Sequence, residues 1–178
     1  MHCTLILVSS LNGMIADAEG RRLNWTSEED KRFFARIRDR HRLIVMGRKT
    51  YDAVRSSLSL SPARLRVVLT RHPDTFRSHY VAGQLEFTDA GPEKLVAEYA
   101  GRGYRKMLLT GGSTTAGSFL SKNLIDEIYL TIEPVIIPRG LPLITGLTDS
   151  VRLTLTQKKQ LNRRGTCLYR FRVVPGHT

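Results

Sequence analysis

Short runs of apolar residues recur along the chain to about residue 137, and a glycine or a polar turn follows most of them. Runs of this length suit strands that are buried on both faces, as in a parallel sheet. Between them lie segments with apolar residues three and four positions apart, the spacing of an amphipathic helix. The pattern predicts strands that alternate with helices. The predicted strands are 3–9, 43–46, 65–70, 85–88, 106–110 and 128–137, and the predicted helices begin near Thr26 or Ser27, at Arg48, at Pro92 and at Ser113.

The last part of the chain has a different pattern. Two strands, predicted at 151–157 and 166–174, follow each other around a turn at Asn162–Gly165 with no helix between them. Strands joined by a turn pair antiparallel, whereas strands joined through a helix pair parallel. We therefore expect a single α/β domain over residues 1–178. Its central sheet is predicted to be mostly parallel and covered by helices, with an antiparallel C-terminal hairpin.

Composition is that of a soluble globular protein, with 41% hydrophobic and 25% charged residues. No apolar run approaches the roughly 20 residues of a membrane-spanning helix. The N-terminus has no basic region and predicts a first strand rather than a signal peptide. Cys3 and Cys167 have no paired spacing, which favours two buried thiols in a reducing compartment. We therefore expect a cytoplasmic protein without membrane attachment.

The formal net charge of +12 comes from 28 Lys and Arg residues against 16 Asp and Glu residues. A basic surface is typical of phosphate binding, and nucleic acid is one candidate ligand. The positive residues are scattered, however, and there is no zinc-finger spacing, aromatic-basic RNA-binding motif or basic tail. A phosphorylated small ligand explains the charge equally well, so its cause stays open.

The predicted strand at 43–46 runs directly into Gly47, Arg48, Lys49 and Thr50. The first backbone N–H groups of a helix lack partners, and the helix dipole favours negative charge there. Two cations and a hydroxyl beside such amides would suit a phosphate group. An ordinary turn with a solvated Arg and Lys explains this segment equally well when it is taken alone.

A second strand-to-helix turn has the sequence Thr110-Gly111-Gly112-Ser113-Thr114-Thr115-Ala116-Gly117. It lacks the Gly-x-Gly-x-x-Gly spacing of dinucleotide sites and the lysine of the Walker motif. Two glycine turns at the carboxyl ends of strands nonetheless lie where α/β sheets bind ligands, and together they suggest a dinucleotide. Thr70-Arg71-His72 closes a third strand. Arg71 would suit an additional phosphate, such as the 2′-phosphate of NADP, or is a solvated turn arginine.

Asp30 lies early on a predicted helix that also carries Phe33 and Phe34. A carboxylate beside an apolar face is costly to bury unless it binds something. The alternative is an exposed first-turn acid like Glu28 and Glu29. The chain has no His-Glu-x-x-His, Cys-x-x-Cys or Gly-x-Ser-x-Gly motif, so neither a metal site nor a serine hydrolase is predicted.

Taken in order, these segments resemble the dihydrofolate reductase superfamily over nearly the whole chain. Asn12–Ala16 resembles its mobile loop over the nicotinamide, and Asn24–Asp30 resembles its tryptophan-to-acid segment. Val45–Tyr51 is similar to its phosphate turn. Gly111-Gly112 matches its double glycine, and Thr131 lies where the superfamily has a threonine near the acid.

The reductase domain of riboflavin biosynthesis, the C-terminal domain of a bifunctional deaminase-reductase, is similar in more detail. Ser10-Leu11-Asn12-Gly13-Met14-Ile15-Ala16 is near its Ser-Leu-Asp-Gly-x-Ile-Ala, and Trp25-Thr26-Ser27-Glu28 is near its Trp-x-Thr-Ser-Glu. Leu124–Ile128 and Glu133–Ile136 also resemble this branch. Ser56–Ser61, however, replaces its Asp-Pro-x-Leu-Thr-x-Arg segment, which puts that branch's sugar-phosphate contacts in question.

The resemblance implies a dihydrofolate reductase-like three-layer fold and an NADPH-dependent reductase of the riboflavin pathway type. The implied substrate is 5-amino-6-(5-phosphoribosylamino)uracil or a diaminopyrimidine analogue. Asp30 and Thr131 would be catalytic and would hydrogen-bond the amino-pyrimidine edge, and Asp30, Trp25 and Phe34 would bind the substrate. The implied cofactor-binding residues are Val8, Ile15, Ala16, Gly47, Arg48, Lys49, Thr50, Thr70, Arg71, His72, Gly111, Gly112, Ser113, Thr114 and Thr115.

Two alternatives stay open. One is a dihydrofolate or other dihydropterin reductase, because Asp30 would bind the same amino-pyrimidine edge in both. The other is of a different class, a basic nucleic-acid-binding protein on the same scaffold, which the scattered charge does not favour. The riboflavin branch also implies a homodimer, although the sequence itself does not predict an oligomeric state.

Overall fold

A computed structural model describes residues 1–18 and 25–175. Two short 3₁₀ segments, Arg55–Ser57 and Pro73–His79, accompany the longer elements. The strands and α-helices of the described part are β1 (His2–Ser10), β2 (Met14–Asp17), α1 (Glu28–Arg38), β3 (Leu43–Gly47), α2 (Arg48–Val54), β4 (Leu65–Leu69), β5 (Leu85–Thr88), α3 (Pro92–Gly101), β6 (Lys106–Leu109), α4 (Ser113–Leu120), β7 (Glu127–Glu133), β8 (Gly140–Pro142), β9 (Leu153–Gln160) and β10 (Cys167–Val173).

The main sheet has eight strands in the spatial order β5-β4-β3-β6-β1-β7-β10-β9. Every neighbouring pair from β5 to β7 is parallel. Strand β10 pairs antiparallel with both β7 and β9, so the C-terminal hairpin enters the sheet with its second strand first. The predicted fold class, a mostly parallel sheet with an antiparallel hairpin, is confirmed. Strands β2 and β8 form a separate antiparallel pair.

Side-chain alternation along the central strands explains the three layers. In β3, Leu43 and Val45 pack on one face of the sheet, while Ile44 and Met46 pack on the other. Both sets are buried because helices cover both faces. Helices α3 and α4 cover the first face with Leu95, Tyr99, Ala116 and Phe119, and helices α1 and α2 cover the second with Phe33, Ile37 and Tyr51.

The strand predicted at 128–137 is shorter in the structure, since β7 ends at Glu133. Pro134 follows directly and has no N–H group with which to continue the ladder. The prediction of two buried thiols is also only half right. Cys3 and Cys167 are both free, but Cys167 is partly exposed. Burial raises the pKa of the Cys3 thiol to about 11.

The start of α1 is anchored from two sides. Ser27 is the N-cap, and its hydroxyl oxygen accepts a hydrogen bond from the Asp30 N–H at 3.3 Å. The Ser27 N–H donates to the buried Glu133 carboxylate at 2.7 Å, and the Thr166 hydroxyl donates to the other oxygen of that carboxylate at 2.6 Å. The end of β7 and the entry of β10 therefore hold the first turn of α1 in place.

None of the helices in the described ranges is long and apolar enough to cross a membrane.

Candidate functional site

A cleft of about 1410 Å³ opens on the face of the sheet that α1 and α2 cover. Its walls come from β1, β3 and β4, from one side of α1 and α2, and from the turn that begins α4. Pockets for a single small ligand usually measure about 300–1,000 Å³. The cleft is therefore large enough for a dinucleotide and a second, smaller molecule together.

The two glycine turns lie against each other at the carboxyl ends of β3 and β6. The Gly47 N–H donates to the Gly111 carbonyl at 2.9 Å. A Cβ atom on Gly47 would overlap the Thr115 hydroxyl oxygen, and one on Gly112 would lie 3.2 Å from Thr50 Oγ1. This approach of the two turns depends on residues without side chains. As a result, α2 and α4 begin side by side at the cleft.

Gly111 adopts a φ angle of +88°, in the left-handed region where glycine has no steric penalty. It is buried behind the turn and does not line the cleft, although it was predicted to contact the cofactor. Its role in the structure is to connect β6 to Gly112, which lines the cleft.

Positive and hydroxyl-bearing side chains surround these turns. Arg48 and Lys49 are exposed on the first turn of α2, and Arg71 and His72 follow the neighbouring strand β4. Arg48 forms an ion pair with Asp52 on the next turn of α2, which offsets part of its charge. Backbone N–H groups, cations and hydroxyls are the donors that phosphate groups require. The hydroxyl-bearing residues that line this region are Thr50, Thr70, Ser113, Thr114 and Thr115.

One wall of the cleft is apolar. It is formed by Val8, Ile15 and Ala16, for which the resemblance implies contact with the cofactor. Leu141 and Pro142 of β8 extend the same wall, because β8 pairs with β2 and places Leu141 opposite Ala16. The sequence analysis did not single out these two β8 residues, since no local pattern predicts a pairing over such a separation.

Asp30 is buried, at 8% exposure, and lines the cleft together with Trp25 and Phe34. It is therefore not the exposed first-turn acid of the alternative interpretation. Thr131 is also buried, in β7, but it does not line the cleft. It lies beside Val8, its register partner across the β1–β7 pair. Asn24, which opened the tryptophan-to-acid segment, lies outside the described residues.

The structure also brings residues to the cleft that the sequence analysis did not single out. Arg66 is the second residue of the otherwise apolar strand β4, and that charge within a buried run is the signal that could have identified it. Thr145 reaches the start of α4, where its hydroxyl lies 3.3 Å from Ser113 Oγ and 3.2 Å from Thr114 Oγ1. Further cleft-lining residues of this kind are Arg38, Ser57, Leu58 and Ser59.

Within the described ranges, no three His, Cys, Asp or Glu side chains come together as metal ligands. The chemistry of the cleft is instead that of phosphate donors at one end, an apolar wall, and a buried carboxylate. This combination suits an organic cofactor beside a polar heterocycle.

Comparison with known proteins gives the family that the sequence resembles. Residues 2–166 match the family model of the RibD C-terminal domain. A solved structure from Shewanella sp. PV-4, named for riboflavin biosynthesis, is 23% identical, with a TM-score of 0.79 over 98% of this chain and 100% of that chain.

Two further solved structures share the fold at lower identity. A diaminohydroxyphosphoribosylaminopyrimidine deaminase/5-amino-6-(5-phosphoribosylamino)uracil reductase from Thermotoga maritima is 17% identical, with a TM-score of 0.76 over 97% of this chain and 56% of that chain. Dihydrofolate reductase from Enterococcus faecalis, complexed with NADP(H), is 20% identical, with a TM-score of 0.66 over 97% of this chain and 96% of that chain.

The contact between the glycine turns generates a stability prediction. Gly47→Ala places a methyl group on the Thr115 hydroxyl, and such overpacking costs about 1–3 kcal/mol. Thr115→Ala removes that oxygen, and the remaining Cβ lies 3.6 Å away, an ordinary contact. We therefore expect the double variant to lose less stability than the sum of the single variants. Urea denaturation measures the free energy of unfolding of all three.

Gly91→Ala is the matched control, because a Cβ there meets nothing within 4 Å. Both glycines are N-caps, where alanine is less favourable, so the Gly91 variant should show that cap cost alone, about 0.5–1 kcal/mol. Additive losses in the Gly47 and Thr115 variants would contradict the predicted contact.

Proposed function

Because the chain belongs to the RibD C-terminal domain family, we propose that it is an NADPH-dependent reductase of the riboflavin pathway type. The proposed substrate is 5-amino-6-(5-phosphoribosylamino)uracil or a diaminopyrimidine analogue, in line with the reductase activity for which the Thermotoga maritima protein is named. The observation that carries the proposal is the joint presence, in one cleft, of two adjoining glycine turns and the buried carboxylate of Asp30.

The residues at the carboxyl edge of the sheet fit the phosphates of NADPH. Gly112 and Ser113 would bind the pyrophosphate through the first N–H groups of α4, where a side chain on Gly112 would crowd Thr50. Arg48 and Arg71 would bind the phosphate that distinguishes NADPH from NADH. The cofactor, when bound, supplies a hydride.

The apolar wall and Asp30 would orient the two reactants. Ile15 and Ala16 would lie against the nicotinamide and keep water from it. Asp30 would accept hydrogen bonds from the amino-pyrimidine edge and raise the proton affinity of the ring nitrogen. Trp25 and Phe34 would bind the flat faces of the ring. A catalytic role for Thr131 stays a prediction.

Reduction of dihydrofolate or another dihydropterin is the second candidate. The Enterococcus faecalis dihydrofolate reductase matches this fold over almost the full length of both chains. Asp30 would bind the same amino-pyrimidine edge there. Nucleic-acid binding has no comparable observation in its favour. Homodimer formation and a cytoplasmic location stay predictions from the sequence.

Substrate choice is the direct test of the proposed function. We expect NADPH oxidation with the ribosylamino-pyrimidine phosphate to exceed that with dihydrofolate or a dihydrobiopterin-like pterin. Absorbance at the NADPH band measures all three rates under the same conditions. Turnover of dihydrofolate with none of the pyrimidine would favour the second candidate, and no turnover of any of them would contradict both.

Asp30→Asn keeps the shape of the side chain and removes its negative charge. A hydrogen bond to a charged group contributes about 1.5–3 kcal/mol, so kcat/KM should fall about ten- to a hundredfold while the Kd for NADPH hardly changes. The matched control is Glu28→Gln, an exposed acid on the same helical turn that pairs with Lys31. An unchanged kcat/KM in the Asp30 variant would leave the carboxylate without the proposed role.

Cofactor selectivity tests the two arginines. In the double variant Arg48→Ala/Arg71→Ala, the Kd for NADPH should rise about tenfold or more while that for NADH stays nearly constant. The salt dependence of NADPH binding should also weaken, because two phosphate contacts are lost. Fluorescence titration at low and high salt measures both cofactors.

The matched control is Arg32→Ala/Arg77→Ala, which removes two exposed arginines that form ion pairs with the neighbouring acids Glu29 and Asp74. It changes the net charge equally but should leave the Kd for NADPH unaltered. Equal affinity of the wild-type protein for NADH and NADPH would contradict the assignment.

A further inference from the structure

Arg66 is the most deeply buried arginine of the described part of the chain, with 4% exposure. Its neighbours Leu65 and Val67 pack toward α3 and α4, so side-chain alternation directs Arg66 to the cleft face. Among the described residues, no hydrogen-bond partner meets its buried Nη1 atom. A buried guanidinium N–H without a partner is costly, and a ligand that accepts its hydrogen bonds would remove that cost.

The surroundings of Arg66 carry an excess of positive charge. Asp39 Oδ1 accepts a hydrogen bond from Arg38 Nε at 3.0 Å and forms an ion pair with Arg64 Nη2 at 2.8 Å, so one carboxylate is shared by two arginines. Burial, with the charges of Arg64 and Arg38, lowers the pKa of Arg66. An arginine remains protonated even so. The part of the cleft around Arg66 therefore favours an anionic ligand.

This position is separate from the phosphate turns. Arg66 lies in the first half of β4, about 13 Å before Thr70 at the carboxyl edge of the sheet. Along α1, the cleft-lining residues Asp30 and Arg38 are about 12 Å apart. A ring bound at Asp30 could therefore extend a tail of several bonds toward Arg66, away from the cofactor turns.

We propose that Arg66 binds an anionic group, a phosphate or a carboxylate, on the tail of the substrate. Its planar guanidinium suits the two oxygens of either group in a bidentate arrangement. Arg38 and Ser59 line the same cleft and would supply further donors. The inference rests on the proposed function for the position of the ring, but it can be tested without turnover.

The test compares Arg66→Met with Arg64→Met by calorimetric titration. Methionine is apolar and of similar length, so it suits the buried strand. Arg64 is the matched control, because it does not line the cleft and is already paired with Asp39. The probes are ribose 5-phosphate and p-aminobenzoylglutamate, with ribose as the uncharged reference. A second variant, Arg66→Lys, keeps the charge without the planar fork.

We expect at least one anionic probe to bind more tightly than ribose, and Arg66→Met to weaken that probe about tenfold or more. Arg64→Met should bind it like the wild-type protein, and Arg66→Lys should lie between. If the binding of ribose 5-phosphate depends on Arg66, the substrate has a phosphate tail. If only the binding of p-aminobenzoylglutamate depends on Arg66, the tail carries a carboxylate. If neither probe depends on Arg66 in a folded variant, the proposal is overturned.

Measurement of stability distinguishes ligand binding by Arg66 from a purely structural role. Removal of a buried charge without a partner should leave the urea midpoint of Arg66→Met unchanged or higher. A lower midpoint together with intact probe binding would assign Arg66 to the fold and overturn the proposal. If none of the substrates supports NADPH oxidation but probe binding still depends on Arg66, the proposed function is contradicted and the anion site is retained.

Discussion

The close approach of two backbone turns is the constraint on which the site depends. Strands β3 and β6 are neighbours in the sheet, and both turn into helices at the same edge. The hydrogen bond from Gly47 N–H to the Gly111 carbonyl joins the two turns, and the threonine hydroxyls of each turn fill the space that the other's glycines leave. Any side chain at Gly47 would push the turns apart and with them the first N–H groups of α2 and α4. The proposed cofactor site therefore follows from packing between glycines rather than from a linear phosphate-binding motif.

The two faces of the sheet have different roles, because one is fully covered by helices and the other forms the cleft. Helices α3 and α4 cover one face with large buried side chains such as Tyr99 and Phe119. On the other face, α2 is short, ending at Val54, and it leaves the middle of β3 and β4 open beside α1. That gap is the cleft. Because α1 lines the cleft from its first turn to its last, one helix brings both Asp30 and Arg38 to it. The buried Glu133, which accepts from Ser27 and Thr166, holds the start of this helix against β7 and β10.

Much of the fold could be predicted from the sequence, because it depends on local patterns. The predicted strand at 85–88 and the predicted helix start at Ser113 match β5 and α4, where turn residues stand next to apolar runs. The glycine turns, the cations beside them and Asp30 were also identified from neighbouring residues. The resemblance to a reductase family rested on the order of such segments, and the family match over residues 2–166 confirms it. Where a local signal was misleading, as in the strand predicted to continue past Pro134, the missing N–H group ended the ladder.

Tertiary structure decided what distant segments do together. The insertion of β10 between β7 and β9, and the pairing of β8 with β2, join residues far apart in the chain. Hydrophobic periodicity does not show which strands pair, because strand order depends on how whole faces of the strands and helices pack together. Arg66 illustrates the difference. In the sequence it is one charge in an apolar strand, and only the positions of α1, α2 and Asp39 make it a buried cation without a hydrogen-bond partner at Nη1 among the described residues. By itself, the sequence determined most of the elements, the glycine turns and the family, but not the short strands β2 and β8. The folded chain decided which side chains share the cleft, because that depends on contacts between elements.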